Sequence, residues 1–234
     1  MGEFLKQNYF LLTYSVEFLA AVIGLFSLKK YSHTAAKFLI YFLVYALIID
    51  LLHGYPQYLR NINNYNLIEG TLFEKNYWLS NIFWFGGLVC FLFFINYKII
   101  NNTQLKTALK YSFIVYLLLF VLYAIFNFSL LFLTLNSFVA ILSLWMVFVC
   151  SSVFYVQFLQ SDLILAFHKS LYFFINSCFL LWNIIMIPLV FYEIYFSTAD
   201  WNFVILKWQI YLTVNIIFYL TLSLALIFCK PEIK

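Results

Sequence analysis

YFLLTYSVEFLAAVIGLFSL, residues 9–28, is an unbroken apolar run with a single charge, Glu17. Twenty residues of helix rise about 30 Å, the thickness of a bilayer's hydrocarbon core. Such a run belongs either to a large soluble core or to a membrane, and the rest of the chain decides which. Six comparable stretches follow: Ala35–Gly54, Trp78–Tyr97, Lys110–Asn127, Phe132–Leu159, Leu171–Tyr195 and Val204–Cys229. Hydrophobic residues make up 66% of the 234 and charged residues 9%, against about 45–50% and about 25% in soluble domains. A soluble fold of this size has too little interior for that much apolar surface. The chain therefore reads as an all-α polytopic membrane protein, a bundle of seven transmembrane helices. The fifth stretch is longer than one span needs and is expected to tilt or project from the bilayer.

Little is left for a soluble domain. The longest connection, His53 to Tyr77, is about 25 residues, so residues 1–234 read as one transmembrane domain. Function must then sit within the bundle, on its short loops or in a partner. The first stretch reads as an uncleaved span, because Glu17 interrupts it, its start is neutral and no small-x-small cleavage site follows. The start Met1-Gly2-Glu3-Phe4-Leu5-Lys6 lacks the hydroxyl residue of a myristoylation signal. All four cysteines, Cys90, Cys150, Cys178 and Cys229, fall within spans or at a span end. That placement indicates packing residues, not a disulfide frame or a thiolate metal site. Twelve lysines against one arginine, with many Phe, Tyr, Ile and Asn, fit AT-rich codons. The expected setting is a bacterial cytoplasmic (inner) membrane.

Basic residues give the orientation. Lys29, Lys30, Lys37, Lys98, Lys106, Lys110, Lys169, Lys230 and Lys234 fall on one side, and Lys6, Arg60, Lys75 and Lys207 on the other. Short loops richer in Lys and Arg stay cytoplasmic, so the N-terminus is expected outside and the C-terminus inside. Only Asp162 and Glu232 are inner acids; Glu3, Glu17, Asp50, Glu69, Glu74, Glu193 and Asp200 lie outside or in the outer half. The high aromatic share reads as lipid contact and interhelical packing, with Trp78, Trp84, Trp201 and Trp208 marking the outer interface.

Ionisable groups within spans are costly and point to function. Glu17 lies about 12 Å into the first span by helical rise. Ala20, Ala21 and Gly24 continue its face, and small residues at this spacing admit a close neighbour. Glu17 should thus point into the bundle, either as a protonated group bonded to another helix or as part of a site. Asp50 and His53 are one turn apart in the second span. Together they could bind a divalent cation, relay protons or hold a ligand amine, with Glu17 or Glu193 as a third donor. Glu193 and Lys207 flank the last outer loop, Ser197-Thr198-Ala199-Asp200, and suit an ion pair. Asn183 and Asn215 should meet at similar depth on neighbouring spans and could floor an outward pocket, with Asn81 contributing from the third span. Pro188 and Gly86-Gly87 are expected flexible points. Lys29-Lys30 with His33, and Asp162 with His168-Lys169, read as solvated inner turns that could dock a cytoplasmic or membrane partner.

Known architectures narrow the field. Seven helices with an outer N-terminus resemble rhodopsins, but a retinal protein needs a buried lysine in the last span and a carboxylate in the third. Lys207 stands at the mouth of its span and Trp78–Tyr97 holds no acid. Sugar transporters of the SWEET type, built from parallel repeats, carry prolines in several repeat helices, where this chain has Pro188 alone. Ceramidase-like hydrolases gather several histidines at zinc, whereas His33, His53 and His168 fall on opposite sides of the membrane here. No Gly-x-Ser-x-Gly elbow, phosphate loop or His-Glu-x-x-His occurs. Nucleic acid has no basic face to bind. No family and no cofactor is assigned. The expected function is a receptor- or sensor-like bundle whose outward polar pocket takes a small ligand or cation. The alternatives are a small-solute or proton transporter and a membrane-embedded lipid-modifying enzyme.

Overall fold

The computed structural model describes residues 8–195 and 201–231, and no strand occurs among them. The seven long helices are α1 (Tyr9–Tyr31), α2 (Lys37–His53), α3 (Leu79–Ile99), α4 (Thr103–Phe126), α5 (Ser137–Leu159), α6 (Leu171–Tyr195) and α7 (Trp201–Phe228). Six are long and apolar enough to cross a membrane unaided. α2 qualifies only together with the short helix Tyr55–Asn61, to which it joins across a 41° bend. The protein is thus an all-α, multi-pass membrane bundle.

Asparagine caps explain where the boundaries depart from expectation. α4 begins at Thr103, well before Lys110, because Asn102 Oδ1 accepts from the backbone N–H groups of Gln104 and Leu105 at 2.9 and 3.3 Å. The long fifth stretch is one helix, α5, only from Ser137; Phe132 and Leu133 belong to a separate short helix, Phe128–Leu133. Asn136 caps the new start, accepting from Phe138 and Val139 N–H at 3.1 and 3.2 Å. A side-chain oxygen that satisfies first-turn donors favours a helix start at that position even inside an apolar run.

Six helices close a ring in the order α1, α2, α3, α5, α6, α7, so that the last packs against the first; α4 flanks the ring on α5 and α3. α1 and α2 pack closely at Gly24, where a Cβ would stand 3.3 Å from Ile40. Rings from four helices fill the centre: Phe42 from α2, Trp84 from α3, Phe179 and Trp182 from α6, and Phe218 from α7. Centroids lie 4.9 Å apart for Phe42–Phe179, 5.3 Å for Phe179–Phe218 and 5.7 Å for Trp84–Trp182. Aromatic pairs at such separations contribute about 0.5–1.5 kcal/mol each beyond area burial. These rings form a plug across the ring's middle.

α3 opens with a π-helical segment, Leu79–Trp84. Tyr45 braces it from α2, its hydroxyl donating to Phe83 O at 2.7 Å. The same tyrosine ring lies 2.5–2.8 Å from where a Cβ on Gly87 would sit. Gly87 is therefore a contact position for Tyr45, whereas Gly86 faces open space. α6 continues through Pro188 to Tyr195.

Candidate functional site

At the end of the bundle where α1 starts, a cavity of about 350 Å³ opens between five of the ring helices and the chain leading into α5. α1 contributes Tyr9, Thr13 and Tyr14, α2 contributes Asp50 and His53, and α3 contributes Ser80 and Trp84. Trp182 comes from α6, and Trp208, Tyr211 and Asn215 from α7. Tyr9 and Trp208 meet edge to face across the mouth, with centroids 4.8 Å apart. Among the described residues no lysine or arginine lines this cavity.

Beneath it lies Glu17, 0% exposed, one turn below Thr13 on the α1 face that Ala20, Ala21 and Gly24 continue. The Asp50 carboxyl faces it across the α1–α2 contact, within electrostatic range but without completing a hydrogen bond of good geometry. Among the described residues neither Glu17 oxygen has a hydrogen-bond partner, nor does the buried Tyr219 hydroxyl that reaches toward both carboxyls from α7. Unpartnered polar groups in a protein interior are few, and each asks for a reason.

His53 is fully engaged. Nδ1 contacts Ile49 O at 2.9 Å and Nε2 contacts Ser80 Oγ at 2.9 Å, while Asp50 Oδ1 stands 3.5 Å from Nδ1. With the Nδ1 proton given to the Ile49 carbonyl, Nε2 is the acceptor for the Ser80 hydroxyl. Asn76 secures the same turn, Nδ2 donating to His53 O at 2.8 Å. Among the described residues no three His, Cys, Asp or Glu side chains converge as metal ligands, so Glu17 does not complete a metal site with Asp50 and His53.

The remaining sequence candidates separate. Asn81, buried on the first turns of α3, reaches the linker before α5, donating to Leu131 O and Thr134 O at 2.7 and 2.8 Å and accepting from Asn136 N–H at 2.9 Å. It holds the chain break at 134–136 in place of lining the cavity. Asn183 donates to Phe179 O on its own helix at 2.8 Å, and the expected Asn183–Asn215 pair is replaced by Trp182 Nε1 donating to Asn215 Oδ1 at 2.8 Å. The amide depth was right, but an indole reaches across first. Lys207 places its ammonium 5.8 and 5.9 Å from the ring centroids of Trp208 and Tyr211. The Glu193 side chain, its pairing with Lys207, and Ser197-Thr198-Ala199-Asp200 lie outside the described residues, as do Glu3, Lys6 and the side chains of Asp162 and Trp201. Sequence reasoning missed the aromatic walls. Trp84, expected at the interface, turns inward against Trp182, and the short i, i+4 step from Tyr9 to Thr13 and on to Glu17 was the available signal.

The opposite end is built differently. A wider cavity of about 1020 Å³ is lined by His33, Lys37, Lys98, Gln157 and several Ser, Thr and Asn residues. Beside it, Lys30 was expected to be solvated. It is exposed, and its ammonium also donates to Leu226 O, Ile227 O and Cys229 O at 2.9, 3.0 and 2.7 Å. Tyr31, fully buried, donates to Leu226 O and Cys229 O at 3.2 and 2.7 Å. The last carbonyls of a helix lack partners within it and carry partial negative charge, so a lysine and a phenol from α1 cap α7. Toward the same end, Asn96 near the finish of α3 donates to Asn176 Oδ1 near the start of α6 at 3.0 Å.

No protein family, curated protein or solved structure matches this chain.

Proposed function

We propose that the protein is a receptor- or sensor-like bundle whose aromatic cavity faces outward from a cytoplasmic membrane and takes a small ligand. The observation that carries this reading is Glu17, wholly buried beside Asp50 with both oxygens unpartnered. A fold selected for stability alone gains nothing from such a group. Orientation rests on the basic residues, which gather at the far end. α1 and α7 meet at both ends, through Tyr9–Trp208 at the mouth and through the Lys30 and Tyr31 caps beyond the plug. A ligand that shifts α1 against α7 at the cavity is thereby felt where a cytoplasmic partner would dock.

The test is a melting-temperature screen of the protein in lipid nanodiscs against a library of small metabolites. A hit is expected whose stabilisation disappears in Asp50→Asn and Glu17→Gln. The plug supports binding without passage. Flux of the same hit through proteoliposomes would replace sensing with transport.

A second reading, a membrane-embedded lipid-modifying enzyme, is favoured by the Ser80–His53–Asp50 chain. The Ser80–His53 contact has the geometry of a nucleophile and its base. A fluorophosphonate that labels wild type but not Ser80→Ala would select this reading; absence of labelling removes it.

A further inference from the structure

On the reading that the aromatic cavity takes a ligand, we propose that this ligand is a small organic ammonium ion. Its charge would sit above Asp50 and Glu17, and its carbon substituents would lie against Trp84, Trp182 and Trp208. Three independent features converge on this class. The first is charge. Asp50 is the ionisable carboxyl that lines the cavity, and it is backed by a second carboxyl with no hydrogen-bond donor of its own among the described residues. An anion would meet two acids, and a neutral ligand would leave them as they are. A cation would give the Asp50 carboxyl a partner closer than His53, whose Nδ1 stands 3.5 Å away.

The second feature is the wall. Indole and phenol faces attract ammonium groups through the ring quadrupole, most strongly when water is excluded. The cavity has three indoles and four phenols, Tyr9, Tyr14, Tyr77 and Tyr211. The protein's own ammonium at Lys207 already lies against two rings of this wall, Trp208 and Tyr211. The third feature is what the site lacks for a bare metal ion. Calcium takes six to eight oxygen ligands and zinc about four N, S or O ligands, and no such group converges among the described residues. An organic cation needs few directed ligands and gains from apolar contact. The volume of about 350 Å³ lies at the small end of ligand cavities, about 300–1,000 Å³, which fits a compact amine.

The experiment pairs cations with their neutral isosteres. The full chain in zwitterionic nanodiscs is titrated with choline and with benzylamine, then with 3,3-dimethylbutan-1-ol and with benzyl alcohol, reading tryptophan fluorescence. Saturable quenching by at least one amine is expected, with its neutral partner weaker by about tenfold or more, the loss expected when a buried charge goes unpaired. Asp50→Asn should weaken amine binding by a similar factor, and Trp208→Leu by a few-fold, about the worth of one exposed cation–π contact. If Asp50→Asn does not fold, the isostere comparison on wild type still decides. Equal binding of amine and alcohol, or no saturable signal with either amine, overturns the proposal. In that event a neutral or anionic hit from the metabolite screen leaves the ligand-cavity reading standing, and a screen without any hit removes both.

Discussion

The two halves of α1 treat their polar side chains in opposite ways. Where α1 finishes, Lys30 and Tyr31 meet five carbonyl contacts on α7, and little polar capacity is wasted. Where α1 starts, Glu17 is sealed in with no partner for either oxygen. One helix thus carries a satisfied clamp at one end and an unsatisfied acid at the other. Glu17 is the one carboxyl among the described residues whose buried oxygens lack a partner; the other such atoms are hydroxyl and amide oxygens.

If that division is right, substitutions should separate by sign. The largest effect is expected at Asn81, which belongs with the satisfied groups despite its place near the cavity. Asn81→Ala strands two carbonyls and one N–H and should cost about 3–5 kcal/mol at about 1–3 kcal/mol per abandoned buried group. Its melting temperature in detergent should fall accordingly, and an unchanged value would break the division. Next, Lys30→Met with Tyr31→Phe should lower stability by about 2–3 kcal/mol, since hydrogen bonds to helix-end carbonyls are worth about 1 kcal/mol each and more when charged. Glu17→Leu should do the reverse. Removing an unpartnered polar group of similar volume should raise stability by about 1–2 kcal/mol while abolishing any ligand response. A fall in melting temperature there would mean that Glu17 is a structural contact. The smallest effect is a paired one on α3. Gly86→Ala should stabilise by up to about 1 kcal/mol, the helix preference for alanine. Gly87→Ala should lose that gain, because its Cβ must displace the Tyr45 ring.

Much of this was legible in the amino-acid order, and the boundary is instructive. Seven apolar runs, and the small-residue face that turns Glu17 inward, depend on neighbours three and four residues away, which the sequence displays directly. Asp50 and His53 were readable for the same reason. Three contacts were not legible: Asn81 finds Leu131 O 50 residues away, Trp182 takes the Asn215 meant for Asn183 across 33 residues, and Lys30 finds Leu226 O across 196. A lysine at the inner end of a span does not show in sequence which helix end it will cap. Trp182 looks like any mid-span aromatic until the ring closes around it. The cavity walls were invisible because they come from helices far apart in the chain.

The clamp on α7 also sets a timetable. Lys30 and its nearest acceptor, Leu226 O, are separated by 196 residues, which a ribosome working at about 5–20 residues per second adds in roughly 10–40 s. Throughout that interval α1 sits in the membrane as one edge of an open arc, its lysine and phenol without their eventual acceptors. Closure comes only with the arrival of α7. Whatever keeps α1 from pairing with another protein in the meantime belongs to the biogenesis of this bundle as much as its own sequence does.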